Sequence, residues 1–267
     1  MADVVPVHRV RARFGQTQRR DAWWLPPLVV FLILGSFLVY ATWSAFQNEH
    51  YAYGNYLSPF YSPEIWGTSP HALFGPKPSF FPAWLPFSPA LLILPFPAGF
   101  RLTCYYYRGA YYKAFWGDPP GCAVGEPRTH YRGEQKLPLI LQNVHRYFLY
   151  AALVFLLFLA HDAWKAMWFT DARGAEHFGI GVGTIILTAN VILLSGYTFG
   201  CHSLRHLIGG GKDVLSDNGI RQRGYACVSW CNRIHMRWAW MSLFGVALSD
   251  VYVRLLSMGV ITDWRIV

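Results

Sequence analysis

The sequence has little charge: Asp, Glu, Lys and Arg make up 14% of its 267 residues, against about 25% in an ordinary soluble domain. That shortage argues against a soluble cytosolic enzyme. A disordered chain is excluded by the 18% aromatic content, because disordered segments are poor in aromatics and rich in charge. Acidic residues are scarce, 14 against 23 Lys and Arg, yet the basic residues form no patch of the kind that binds nucleic acid. They alternate with long apolar runs, as in a polytopic membrane protein that sets its own orientation. Five cysteines are too few for a disulfide scaffold. No small-residue cleavage site follows the first apolar run, so the N-terminus is not read as a cleaved signal. There is no internal repeat to support an inverted-repeat transporter. HExxH is missing too, which removes the basis for an intramembrane zinc protease.

What is present is apolar length. A helix needs about 20 mostly apolar residues to cross a bilayer. Five stretches qualify, at about 24–46, 87–116, 137–165, 176–207 and 221–258. The expected fold is therefore an all-α membrane protein, a bundle of five transmembrane helices in one domain over 1–267. Pro95 and Pro97 predict a kink in the second span. Arg9, Arg11, Arg13, Arg19 and Arg20 lie on an arm, 1–22, before span one. Arg101, Arg108, Lys113, Arg128, Arg132 and Lys136 flank the turn between spans two and three, and Arg205, Lys212, Arg221 and Arg223 flank that between four and five. The opposite side has Lys77, Lys165, Arg173 and Arg265. The positive-inside rule then makes the N-terminus cytoplasmic and places the C-terminus outside. The outer segment, about 47–84, is rich in Pro, Tyr, Phe and Trp, and is expected to lie ordered on the bundle.

Ionisable and ligating side chains inside membrane segments are costly, and they point to function. GCHSLRH, at the inner end of span four, holds Cys201, His202 and His206, while RGYACVSWCNRIHMRW, opening span five, holds Cys227, Cys231 and His235. The short turn between the spans makes them antiparallel neighbours and puts both groups at one depth. His202 and His206 stand at i, i+4, as do Cys227 and Cys231, so each pair shares a helix face. Two thiolates and two imidazoles make a Cys2His2 set, which fits a structural zinc or a [2Fe–2S] cluster of Rieske type, in which two His replace two Cys on one iron. Cys201 lies about 100° round the helix from His202 and is a substitute ligand, as is His235. Cys104 and Cys122 are read as small packing residues. HSLRH also matches one histidine box of the membrane di-iron enzymes. Those need several boxes, and His8, His50, His71, His130 and His177 are scattered singly.

His145, in NVHRYF, lies at the inner end of span three. With His206 or His235 it could ligate a haem b, contact a quinone, or serve as a polar anchor beside Arg146. His161, beside Asp162 at the outer end, reads as an interfacial residue. The tyrosines of FRLTCYYYRGAYYKAFW, Tyr105 to Tyr107, Tyr111 and Tyr112, suit a membrane-interface belt. With Arg101, Arg108 and Lys113 they would equally form a docking face for a soluble partner. Gly179, Gly183, Gly196 and Gly200 would let span four approach its neighbours closely.

FRLTCYYYRGAYY at the inner end of span two, NVHRYF opening span three and SGYTFGCHSLRHLIGG closing span four resemble the membrane-anchor, cytochrome b-like subunit of actinobacterial succinate dehydrogenases. The likeness runs from about Trp23 onward. It implies an anchor for a flavoprotein and an iron–sulfur subunit on the cytoplasmic face of the plasma membrane. Through it electrons would pass from succinate, by the partners' FAD and iron–sulfur clusters, to a membrane quinone such as menaquinone. Relatives carry two, one or no b haems, and this chain lacks four histidines paired at two depths. The cysteines among its inner histidines favour the [2Fe–2S] cluster on His202, His206, Cys227 and Cys231. His235 is then either a substitute ligand or a donor to quinone, with His145, Arg146, Tyr105 and Arg237 as further quinone contacts. A stand-alone di-iron or zinc membrane enzyme and a purely structural anchor are the readings from other classes. A higher oligomer of the complex is left open.

Overall fold

The computed structural model describes residues 12–82, 84, 86–128, 135–137, 139–171, 173–212, 214 and 219–267. The basic residues Arg9, Arg11 and Arg132, with His8 and His130, lie outside the described residues.

Among the described residues four helices are long and apolar enough to cross a membrane. They are α1 (Leu25–Gln47), a segment Ile140–Lys165 whose main part is α5 (His145–Lys165), α6 (Val182–Phe199) and α9 (His235–Ser257). The stretch expected as a kinked second span is instead three successive helices: α2 (Pro89–Ile93), α3 (Pro95–Thr103) and α4 (Tyr105–Phe115). Proline has no N–H to continue a ladder, so Pro95 begins a new helix where α2 stops. Cys104, with φ −64° and ψ 128°, is extended and separates α3 from α4. The fourth and fifth stretches are divided as well. Gly200 and Cys201 separate α6 from α7 (His202–Gly209), and Ile234 separates α8 (Gly219–Arg233) from α9. The helices are joined by two small antiparallel hairpins, β1 (Ala52–Tyr53) with β2 (Tyr56–Leu57), and β3 (Trp168–Thr170) with β4 (Glu176–Phe178).

The chain divides into two compact units, Met1–Leu38 with Cys104–Gln142, and Val39–Thr103 with Asn143–Val267. In the first, the N-terminal arm runs along the loop after α4. Gly15 N–H donates to Gly125 O at 2.8 Å, Gly125 N–H to Gln16 O at 2.9 Å, and the Thr17 hydroxyl to Ala123 O at 2.8 Å. Arg128 pairs with Asp118 at 2.6 Å. Cys104 is buried, in keeping with a packing role, whereas Cys122 is exposed.

The second unit is built on α6 and α9, which run antiparallel in close contact. A Cβ on Gly196 would meet the Trp238 ring at 2.5 Å, and one on Gly245 would meet Leu193 at 2.9 Å. Small residues let two helices approach where apolar lipid offers no hydrophobic drive for association. The outer segment is ordered on this bundle, as expected. Tyr56 and Tyr61 are buried, and Tyr51 stacks on Tyr61 at 4.1 Å. Its Ser58 reaches the bundle, where the fully buried Asp250 of α9 accepts from Tyr40 Oη at 2.5 Å, Ser44 Oγ at 3.0 Å and Ser58 Oγ, with Arg254 at 3.6 Å. Near the C-terminus, Asp263 accepts from Tyr56, Tyr252 and the Gly183 N–H at the start of α6. Burial and then Asp263 push the Tyr56 phenol well above its usual range.

Between Ser62 and Thr103 the chain passes from one end of α5 to the other. The Ser62 hydroxyl bonds Asp162, and Thr103 bonds His145. Those two α5 residues are about 26 Å apart along the axis at about 1.5 Å per residue.

Candidate functional site

The ligating residues gather where α6 gives way to α7 and α8 to α9. Cys201 is extended (φ −65°, ψ 133°), so α7 restarts with a new direction and sets His202 at its first position. Gly210, with φ +61°, ends α7 in the left-handed region that a glycine enters without strain. α7 then lies against α8 through Arg205, whose Nε donates to Ser229 Oγ at 3.0 Å while its guanidinium covers Tyr225 at 5.0 Å. Asn232 Nδ2 donates to Gly200 O at 2.8 Å and fixes the break in α6–α7 to the end of α8.

His202 and His206 face one another, Nε2 to Nε2, at 2.9 Å. One imidazole donates and the other accepts, so at least one of the pair is neutral. α7 and α8 lie outside the four long apolar spans. Partial burial, then the charges of His206 and Arg205, hold His202 below the usual imidazole range. Cys227 is exposed and Cys231, one turn further along α8, is buried. Burial, then Cys227, pushes the Cys231 thiol up.

The four side chains expected to form one centre stand as two pairs. Among the described residues no three His, Cys, Asp or Glu side chains form a group able to hold a metal ion. Each i, i+4 pair closes on itself instead. Arg205 and Ser229 join the helices that carry the two pairs.

Cys201, expected as a substitute ligand, faces α5. It is buried, with Sγ 3.1 Å from His145 Nε2. The other ring nitrogen of His145 lies 2.8 Å from Thr103 Oγ1. Because the Thr103 hydroxyl donates its proton to Gly99 O at 2.7 Å, it accepts from His145 Nδ1–H. Nε2 is then the acceptor, and the Cys201 thiol donates to it. His145 also stacks on Phe100, 4.7 Å apart and 2° from parallel. Phe100 meets Tyr197 edge-on at 5.4 Å, and Tyr197 stacks on His235 at 5.0 Å. The four rings make a column from α5 through α3 and α6 to α9. This arrangement disfavours the haem reading: two aromatic rings fill the path between His145 and His235, and both nitrogens of His145 are engaged. His206, the other haem candidate, is exposed and turned to His202.

Two of the expected quinone contacts come together. His145 and His235 share the ring column, while Arg146 and Arg237 are exposed at the helix surface. Tyr105 is 68% exposed in the other compact unit, under Arg108 at 4.2 Å. Sequence reasoning missed Arg101 as a member of the buried site. Its guanidinium lies over Tyr197 at 4.8 Å and donates to Ala239 O at 3.2 Å and Ser242 Oγ at 3.0 Å. The signal was a lone arginine directly after Phe100 in an apolar run, assigned above to sidedness and to a docking face.

Four helices long and apolar enough to cross a membrane, among the described residues, with a column of stacked rings between them, mark a membrane protein. Residues 25–259 match the family model described as actinobacterial succinate dehydrogenase subunit SdhC. The chain belongs to that family, and is therefore a membrane subunit of a succinate dehydrogenase complex, in the plasma membrane and in company with the other subunits. It is also similar to a chain of the Mycobacterium smegmatis Sdh1 complex in the apo form, at 43% identity over 97% of each chain with a TM-score of 0.84. No curated protein matches.

Proposed function

We propose that this subunit docks the flavoprotein and iron–sulfur subunits on the cytoplasmic face and carries electrons from succinate oxidation to a membrane quinone. The observation that carries the reading is the pairing of donors: His202 with His206 on α7, and Cys227 with Cys231 on α8. A Rieske-type [2Fe–2S] cluster needs two imidazoles for one iron and two thiolates for the other, and these two pairs are the donors that would hold it. When bound, such a cluster supplies a one-electron relay between the partner subunits and the quinone.

The chain's own residues set the conditions around that relay. Arg101 holds a positive charge against the ring column, and Asn232 ties the α6–α7 break to α8. Quinone reduction takes up two electrons and two protons, so its headgroup needs donors. His235, at the end of the column beside Arg101, is the nearest candidate, with His145, Tyr105, Arg146 and Arg237 as further ones. Five crossings with an inner N-terminus complete the reading. The passage of 62–103 from one end of α5 to the other supports α2 and α3 as the broken fifth crossing.

The test is low-temperature EPR with an optical spectrum on the complex purified from membranes, beside a Cys227→Ala, Cys231→Ala double variant. The expected outcome is a Rieske-like signal lost in the variant, with acid-labile sulfide reduced by two per complex. Haem bands that survive the variant, or an unchanged iron–sulfur spectrum, would overturn the cluster assignment.

A further inference from the structure

The buried face of α9 carries four polar side chains, Ser242, Ser249, Asp250 and Arg254, in a helix otherwise apolar enough to cross a membrane. Polar and charged groups at such a depth are costly and point to function. None of the four takes part in the electron relay. The inner end of their file meets Arg101, which donates to Ser242 Oγ at 3.0 Å and lies over Tyr197 of the ring column. At the outer end the Arg254 guanidinium donates to the carbonyl oxygen of the exposed Glu49 at 3.0 Å. Asp250 stands just inside it and accepts from the Tyr40, Ser44 and Ser58 hydroxyls.

The middle of the file is supplied by α6. Asn190 is 1% exposed, and its Oδ1 lies 3.6 Å from where a Cβ on Gly245 would stand. That oxygen has no hydrogen-bond partner among the described residues. Beside it the Ser249 hydroxyl donates to Gly245 O at 2.9 Å. At about 1.5 Å per residue, Ser242, Gly245, Ser249 and Arg254 follow one another along the axis at steps of about 4.5, 6 and 7.5 Å. One water joining two polar groups spans about 5.6 Å, from two hydrogen bonds of about 2.8 Å each. The steps are therefore those of a file in which fixed polar groups are linked by one or two waters. A purely structural contact has no use for the unmatched carbonyl of Asn190. Leucine has a similar volume and would remove an unsatisfied polar atom from between α6 and α9.

We propose that this file is a proton route from the outer face to the level of Arg101, where the quinone is protonated as it is reduced. The inference rests on the quinone chemistry proposed above. A proton enters from water near Glu49 and is taken by the Asp250 carboxylate, as one of its hydroxyl partners turns away. Asp250 then passes the proton to water held at Asn190 and regains its negative charge beside Arg254. From there the proton moves past Ser242 to a quinone oxygen. Two electrons from succinate and two protons from the outer side convert one quinone to quinol. Two charges set the direction of control. Asp250 offsets Arg254 at the entrance, whereas Arg101 repels a proton at the inner end until electrons place negative charge on the quinone. Protons are thus admitted with electron arrival, and the file does not leak without it.

The experiment uses the whole complex reconstituted into sealed vesicles with the pH indicator pyranine in the lumen. Succinate added outside reaches only complexes whose soluble subunits face outward, so the outer end of α9 faces the lumen. A water-soluble quinone analogue is the acceptor, and potassium with valinomycin cancels the membrane potential. The expected result is lumenal alkalinisation by two protons per quinone reduced, with the external medium acidified equally by succinate oxidation. Asn190→Leu should cut both quinone reduction and the lumenal signal at least fivefold, while the thermal midpoint holds or rises. Asn190→Ser, which keeps a polar atom, should restore much of both. Asp250→Asn should act like Asn190→Leu, and the Asn190 pair decides the case if that variant does not assemble. An unchanged lumenal pH during turnover, or an Asn190→Leu variant equal to the parent, overturns the proposal. Succinate-dependent reduction of a soluble redox dye, retained in every variant, shows that the partner subunits are attached. If quinone is reduced with all protons drawn from the external medium, only this inference fails. If the complex reduces the redox dye but never quinone, the proposed function fails with it.

Discussion

His145 shows how one buried side chain is fixed by chemistry that spacing alone leaves open. Its tautomer follows from Thr103: the hydroxyl gives its proton to Gly99 O, so it receives one from Nδ1. Thr103→Val keeps the shape and removes the acceptor, stranding a buried N–H at a cost of about 1–3 kcal/mol. The expected outcome is a lower thermal midpoint for the purified complex with Thr103→Val and a near-normal one with Thr103→Ser. Equal midpoints for the two would mean that the hydroxyl does not hold the ring. At this scale the sequence was informative about which residues matter. The i, i+4 spacing paired His202 with His206 and Cys227 with Cys231, and both pairs are there. What spacing could not give was the partner of each pair. That depends on the break at Gly200 and Cys201, which turns Cys201 towards His145 and leaves each pair to close on itself. Asp250 and Arg254 were overlooked for a related reason. A single carboxylate in an apolar helix declares its cost in the sequence, but the hydroxyls of Tyr40, Ser44 and Ser58 that satisfy it come from far along the chain.

Among the elements, the long apolar stretches were legible and their interruptions less so. Hydropathy sums over a window, so it joins α2, α3 and α4 into one span even though proline and an extended Cys104 divide them. The glycines carried clearer information, because the packing of α6 on α9 needs them. At Gly196 a methyl group would sit 2.5 Å from the Trp238 ring, a rigid side chain that cannot step aside cheaply. Gly196→Ala should therefore destabilise the α6–α9 pair by about 1–3 kcal/mol, the usual cost of overpacking. Adding Trp238→Ala to it should recover part of the loss, since the two positions share one contact. Thermal unfolding of the four proteins of that cycle checks this, and strictly additive losses would place the strain elsewhere. The same argument explains why the outer segment could be anticipated as ordered. A run of aromatics poor in charge gains by burying rings, and Tyr51, Tyr56 and Tyr61 are buried while Phe74, Phe80 and Trp84 stay exposed.

Over the whole molecule, the question that composition raised and geometry sharpens is sidedness. The basic residues around the α7–α8 turn argue for an inner face at that end of α6, those of the arm before α1 argue for an inner N-terminus, and the β3–β4 hairpin, with Arg173 exposed, marks the other end of α6. Two exposed cysteines make the prediction direct. Cys122 and Cys227 belong to the proposed inner face, whereas an Arg173→Cys substitution puts a thiol on the proposed outer one. A membrane-impermeant maleimide applied to right-side-out vesicles should label Arg173→Cys and spare Cys122. In inverted vesicles stripped of the soluble subunits the order should reverse, with Cys122 labelled and the hairpin thiol protected. Four crossings would leave both chain ends on one side, so thiols at Gln18→Cys in the arm and at Ile266→Cys together give the count. Labelling of Ile266→Cys from outside, together with protection of Gln18→Cys, requires an odd number of crossings and makes α2–α3 the fifth. If Gln18→Cys and Ile266→Cys label from the same side, the broken helices do not traverse the bilayer, and the docking face for the partner subunits must be sought again.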